Sequence, residues 1–208
     1  MTTSKLTLYN GACRILGERR LASLTENRPA LNYLNDAWDD GVVDGALEQG
    51  YWNFGTRTIR ADYDPSIEPE FGYQRAFQKP DDYIRLAAIS TDEYFRDTLH
   101  DYSDEQGYWF CDHDLLYIKY ISNDSEYGGD FALWPQSFQK YIQASLADEV
   151  KELVTGNDGK YDRIKKALKD AKSDARSKDV MNRPTKFAPA GSFVRARMTS
   201  RVNNDGAA

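Results

Sequence analysis

The hydrophobic spacing of this chain changes period at one place. Up to Gly50 the apolar residues recur at intervals of three and four. After the aromatic run Tyr51-Trp52-Asn53-Phe54 they tend to alternate, and helical spacing returns only at Pro135. A helix buries a stripe and a strand buries a face. A strand-forming middle between two helix-forming flanks therefore points to an α+β fold: a helical bundle of about four helices, with a small antiparallel β domain inserted and an extended arm at the C-terminal end. The expected boundaries are 1–53 and 134–180 for the helical body, 54–133 for the β-rich part and 181–208 for the arm.

The first helix is expected over 4–17, with Leu6, Tyr9, Cys13 and Leu16 on one face and Gly17 as its stop. A second runs from near Thr25–Asn27 to Gly50, with Pro29 in its first turn and a stripe of Leu31, Leu34, Trp38 and Val42. Gly41 and Gly45 lie one turn apart within it and read as sites of close backbone approach. In the middle, Thr56–Ala61, Phe71–Phe77 and Tyr83–Ile89 read as strands. Tyr108–Cys111 and Leu115–Ile121 read as a hairpin closed by Asp112-His113-Asp114. Phe138, Tyr141, Ile142, Leu146, Val150 and Leu153 form a broad helical stripe. After the turn Gly156-Asn157-Asp158-Gly159 comes a narrow seam over 160–179: Tyr161, Ile164, Leu168, Ala171 and Ala175. Its steps of three and four are those of helices that pack on one another, so the pair is expected to be an antiparallel helical hairpin.

Charge divides the chain. The last 28 residues carry five bases (Arg183, Lys186, Arg195, Arg197, Arg201) and one acid, a balance of +4, while the whole chain is −6, which leaves −10 for residues 1–180. An acidic body argues against a nucleic-acid binder built on the body. It suits self-association in which a basic tail meets an acidic neighbour. Two prolines and a glycine over Asn182–Ser192 stop any helix, and Phe187, Phe193, Val194 and Met198 are apolar anchors that a plain disordered tail lacks. Aromatic residues make up 13% of the chain, 14 of them Tyr, a composition that serves cores and interfaces alike. Two distant cysteines fit a reduced compartment, no apolar run is long enough to span a bilayer, and the N-terminal residues lack a signal-peptide core. The expectation is a chain made and folded in a cytoplasm.

No reactive constellation is expected. Cys111, Asp112, His113 and Asp114 sit too close together for a tetrahedral metal site, even with His100, and turn formation accounts for the aspartates. The pairs Asp39/Asp40, Asp81/Asp82 and Asp104/Glu105 are sequence neighbours, whereas a glycosidase needs carboxyls held across a cleft. Asn123–Asp130 lacks the alternating ligand order of a calcium loop. A phosphate-cradling glycine loop, a nucleophile elbow and a zinc-binding His-Glu-x-x-His are all missing from the sequence. Catalytic residues, cofactors and metals are each expected to be none.

With these residues in view, the chain resembles the head-to-tail adaptors of tailed bacteriophages, of the tail tubular protein A type. The resemblance is carried by the first helix ending in Leu16-Gly17, the long second helix ending at Gly50 and the junction Tyr51-Trp52-Asn53-Phe54-Gly55. It continues in Phe77-x-x-Pro80-x-Asp82-x-x-Arg85-Leu86, the C-terminal helix pair and the basic arm, and so spans most of the chain. Where this chain has Tyr51, the family often has Pro.

The resemblance implies a structural virion protein at the head–tail junction. It would form a homo-oligomeric ring of twelve subunits below the portal protein, dock the tail nozzle or tube protein, and surround the channel through which DNA passes without specific binding. An acidic channel lining would let phosphates slide. Phe187, Phe193, Arg195, Arg197 and Arg201 are the expected contacts with the portal or a neighbouring subunit. The alternative from another class is a tail-associated peptidoglycan hydrolase, which a cell-wall turbidity assay separates from an adaptor. A third is a small nucleic-acid binder using the tail, which salt-dependent DNA binding would reveal.

Overall fold

The computed structural model describes residues 3–70, 72–154 and 158–182. The fold is α+β, with five α-helices and two three-stranded antiparallel sheets among the described residues. Phe71, the Gly156-Asn157 turn and the whole of 183–208 lie outside them, including the expected contact residues Phe187, Phe193, Arg195, Arg197 and Arg201.

Helix α1 spans Lys5–Leu16. The Ser4 hydroxyl accepts from the Thr7 amide at 3.3 Å, and Gly17, at φ +78°, closes the other end in the left-handed conformation. Leu8, Tyr9, Ala12, Cys13 and Leu16 are buried. The expected second helix is two helices, α2 (Pro29–Asp39) and α3 (Val42–Glu48). Arg28 occupies the cap position, and Pro29 sits in the first turn as expected. The break is at Gly41, whose φ of +88° no interior helical residue adopts; a Cβ on Gly41 or Gly45 would meet nothing within 4 Å. These glycines therefore do not mark a close backbone approach. Gly41 turns the chain, and Gly45 faces open space.

A single turn of 3-10 helix, Asn53–Gly55, leads into β1 (Thr56–Asp62). The other strands are β2 (Arg75–Gln78), β3 (Tyr83–Ser90), β4 (Ser103–Glu105), β5 (Tyr108–Cys111) and β6 (Leu115–Ser122). One sheet has the order β1-β6-β3 and the other β2-β5-β4. The expected hairpin is therefore absent: β5 and β6 are consecutive but belong to different sheets, and Asp112-His113-Asp114 carries the chain from one to the other. The expected strand over Phe71–Phe77 is confined to Arg75–Gln78.

The period-2 alternation of β6 explains how the sheets pack. Leu116, Ile118 and Tyr120 share a face and form an apolar cluster with Phe77, Trp109 and Cys111 of the second sheet, while Ile121, on the opposite face, joins the apolar core of the helices.

Helix α4 (Gln136–Val154) packs against α1, α2, α3 and α5 (Asp158–Met181), so it is the central rod of the helical part. Of its expected stripe, Phe138, Tyr141, Ile142, Leu146 and Val150 are buried, and Leu153 is exposed. In α5 the expected seam buries Ile164 and Ala175 and half-buries Tyr161, Leu168 and Ala171. It extends one step further than expected, to Asp179, which is 6% exposed.

Candidate interaction surface

The change of period read in the sequence becomes a physical joint. Trp52 is buried, its indole N–H donates to the Ala46 carbonyl at 3.0 Å, and its ring meets Phe138 edge-on with centroids 4.9 Å apart. From there aromatic contacts run through Trp134 and Phe131 to Trp38 and Tyr9, with successive centroids 5.0–5.9 Å apart, so α1, α2, α4 and the joint share one aromatic array. Each such edge-to-face pair contributes about 0.5–1.5 kcal/mol beyond the area it buries. Gly50 is required here, because a Cβ at that position would lie 2.8 Å from the Trp52 ring.

Three cations gather at the exposed end of α3. Arg85 Nη1 donates to the Glu48 carbonyl at 2.7 Å while its guanidinium stacks 4.3 Å from the centroid of Tyr51. Arg176, from α5, donates to the Gln49 carbonyl, and Lys172 Nζ donates to Gln49 Oε1 at 2.7 Å. These donors satisfy orphan carbonyls and favour the negative end of the helix dipole. Burial, and then Arg176, push the Lys172 ammonium pKa down.

Beside them the Asn53 amide donates to Asp179 Oδ1 at 2.9 Å, and Asn53 Nδ2 donates to the Asp179 carbonyl at 2.7 Å. The end of α5 is thus fastened to the joint. Gly50, Tyr51, Trp52, Arg85, Arg176 and Val180 line an open groove of about 300 Å³ here. Val180, which lines it, is 63% exposed, and Met181, the next residue and the last before Asn182, is 76% exposed; the sequence of the basic arm follows.

Asp82 organises the other half of the segment Pro80-x-Asp82-x-x-Arg85. Its carboxylate accepts from Arg57 Nη1 at 2.8 Å, from the Tyr120 hydroxyl at 3.0 and 3.1 Å, and from Ser122 Oγ. Burial alone would raise its pKa; the bonds from Ser122, Arg57 and Tyr120 together outweigh burial and hold the carboxyl below its ordinary value. One side chain ahead of β3 therefore ties β1 and β6 together, a structural use of this acid.

The other sequence candidates are also engaged in holding the fold. Asp112 accepts from the Gln74 amide at 3.0 Å and Asp114 from Arg75 Nε at 2.6 Å, which pins the start of β2 to the link between the sheets. His100 bonds Thr98 at 3.0 Å, and Lys79 reaches Asp104 at 2.5 Å. Among the described residues no group of three or more His, Cys, Asp or Glu side chains is placed to hold a metal ion. Both cysteines are buried thiols, and burial pushes the pKa of each up, which keeps them unreactive. The Asn123–Asp130 loop folds on itself: a Cβ on Gly128 would lie 2.2 Å from the Ser122 carbonyl, and Trp134 Nε1 donates to the Gly128 carbonyl at 2.7 Å. Sequence reasoning missed Asp179 and Gly128. The continuing three-four seam of α5 is the signal that could have found Asp179.

Compared with known proteins, the chain matches no family model and no curated protein sequence. No helix among the described residues is long and apolar enough to cross a membrane.

Proposed function

We propose that this chain is a structural virion protein, a head-to-tail adaptor that assembles as a ring below the portal, docks tail components and surrounds the DNA exit channel. The support is convergence. The two segments on which the family resemblance rests, Tyr51–Gly55 and Phe77–Leu86, meet through Arg85 at the end of α3, and the end of α5 is fastened to the same joint by Asn53 and Asp179. A rigid joint at the root of a basic, aromatic-bearing arm is what a subunit needs if it is to hold that arm at a fixed angle toward a portal or a neighbour. On this reading the helical body, 1–53 and 134–180, carries the arm, and the β-rich part, 54–133, projects from it. The partners are the portal protein, the tail nozzle or tube protein, and further copies of the chain.

Phe187, Phe193, Arg195, Arg197 and Arg201 make the attachment, and ordering them costs chain entropy that aromatic burial and charge pairing must offset. Deletion of 182–208 tests this. The truncated subunit should keep the far-UV circular dichroism and cooperative unfolding of the full chain and yet fail to join procapsids. Normal attachment of the truncated subunit would refute the role given to the arm.

A further inference from the structure

Away from the joint, the facing surfaces of α1 and α4 enclose two open grooves of about 640 and 650 Å³ that share Thr7, Arg14 and Gln143. They adjoin at these residues, and Gln143 lines both. Its side chain lies across Gly11, where a Cβ would come within 2.1 Å of its Cδ, and the residue is only 8% exposed. Its neighbour one turn back, Gln139, donates to the Trp134 carbonyl at 2.9 Å, but the Gln143 amide has no hydrogen-bond partner among the described residues. Its amide atoms are not among the buried polar atoms that lack a partner in the described residues, so they are open to the two grooves, where an occupant can reach them.

Around the amide stand three cations, Arg14, Arg20 and Lys140, none of which makes an ion pair among the described residues. The lone acid, Glu18, pairs with Arg28 at 3.5 Å. The result is a basic groove on a body that carries −10.

The chemistry selects among anions. A carboxamide offers a donor pair and an acceptor, which match the carbonyl and N–H of a peptide group, while the phosphodiesters of a nucleic-acid backbone offer acceptors only and would give Gln143 Oε1 no donor. Neither groove has an aromatic lining residue on which a base could stack. An extended acidic peptide fits, and the chain itself contains one. Glu68-Pro69-Glu70, in the link between β1 and β2, exposes both glutamates, and neither makes an ion pair among the described residues. Pro69 holds Glu68 extended, so the two carboxylates project on one side, about 6–7 Å apart along the chain. Within one molecule Pro69 and Glu70 line a different groove, with Tyr73 and Phe110 on the second sheet.

We propose that the groove between α1 and α4 binds the Glu68-Pro69-Glu70 segment of a second copy of this chain. The glutamates pair with Arg14 and with Lys140 or Arg20, and the Gln143 amide takes the intervening backbone. The contact is head-to-tail, since donor and acceptor surfaces differ. It stands apart from portal attachment, because it is read on the isolated protein.

A fluorescent peptide copying residues 62–70, titrated with the full chain and followed by polarisation, tests it. Saturable binding that weakens with salt is expected, with a loss of about tenfold or more for Arg14→Ala, for the surface variant Lys140→Glu and for Gln143→Leu. Thermal unfolding of each variant confirms that it is folded, and Lys140→Glu, exposed on α4, keeps the test open should Gln143→Leu misfold. A peptide with both glutamates changed to Gln should not compete. No binding by the parent peptide, equal binding by the Gln peptide, unchanged binding by folded Gln143→Leu, or displacement by a thymidine oligonucleotide would each overturn the proposal.

Discussion

Replacing Asp82 with Asn keeps the shape of the side chain and removes its charge, so it isolates what the carboxylate does for the sheets. Arg57 of β1 and Tyr120 and Ser122 of β6 all donate to it, and its side chain is 15% exposed against 34% for Arg57. An asparagine offers one acceptor oxygen and turns an N–H₂ toward groups that are themselves donors. Hydrogen bonds to a charged group are each worth about 1.5–3 kcal/mol, and partial exposure of Arg57 screens its share, so the net loss should be roughly 2–4 kcal/mol. In a chain of this length that corresponds to a fall in Tm of roughly 5–15 °C.

The pH dependence has a definite sign. The folded pKa of Asp82 lies below its ordinary value, so its stabilisation is complete above the unfolded pKa of about 3.9 and is lost as pH falls through the folded pKa. Urea unfolding followed by tryptophan fluorescence from pH 7 down to pH 3 reads both effects. The Asn variant should unfold at lower urea at pH 7 with an unchanged slope, and the gap to the parent chain should narrow at the acid end. Equal midpoints at pH 7, or a gap that stays constant into acid, would refute the role assigned to this carboxylate.

Other substitutions probe the joint and the break before it. Gly45→Ala, facing open space within α3, should stabilise by about 0.5–1 kcal/mol, whereas Gly41→Ala, at φ +88°, should cost about 1–2 kcal/mol; thermal midpoints that move in the same direction would contradict the break at Gly41. Trp52→Ala should cost about 3–5 kcal/mol by chemical denaturation, because it empties the centre of the aromatic array and leaves the Ala46 carbonyl without its donor. Arg85→Ala should cost about 1–2 kcal/mol and raise amide hydrogen exchange at the end of α3, with little change in α1.

The elements legible in the sequence are those whose periodicity is local. The stripes of α1, α4 and α5, and the strands β1 and β3, depend on which residues recur at two or at three and four, and a single stretch of chain carries that information. The break at Gly41 was hidden because Leu31, Leu34, Trp38 and Val42 keep helical spacing across it, and nothing in the spacing reveals a positive φ. Two strands flanking Asp112-His113-Asp114 look like a hairpin locally. Their separation into two sheets is decided by distant partners, Phe77 opposite Trp109 and Ile59 opposite Ile118, which no short window contains. Gln143 carries no signal at all in the sequence: it is a polar residue at a buried helical position, and only the notch at Gly11 explains its place. The basic character of 183–208 is plain from composition, while the contacts proposed for it are with other chains and are not written in one.

On the proposed reading, negative-stain imaging of this protein mixed with the portal rings it would join tests the adaptor role most directly. A closed ring of added density on one face of the portal, coaxial with its channel and lost when residues 182–208 are removed, is the predicted result. Bare portals at saturating concentrations of the folded full-length chain would contradict it.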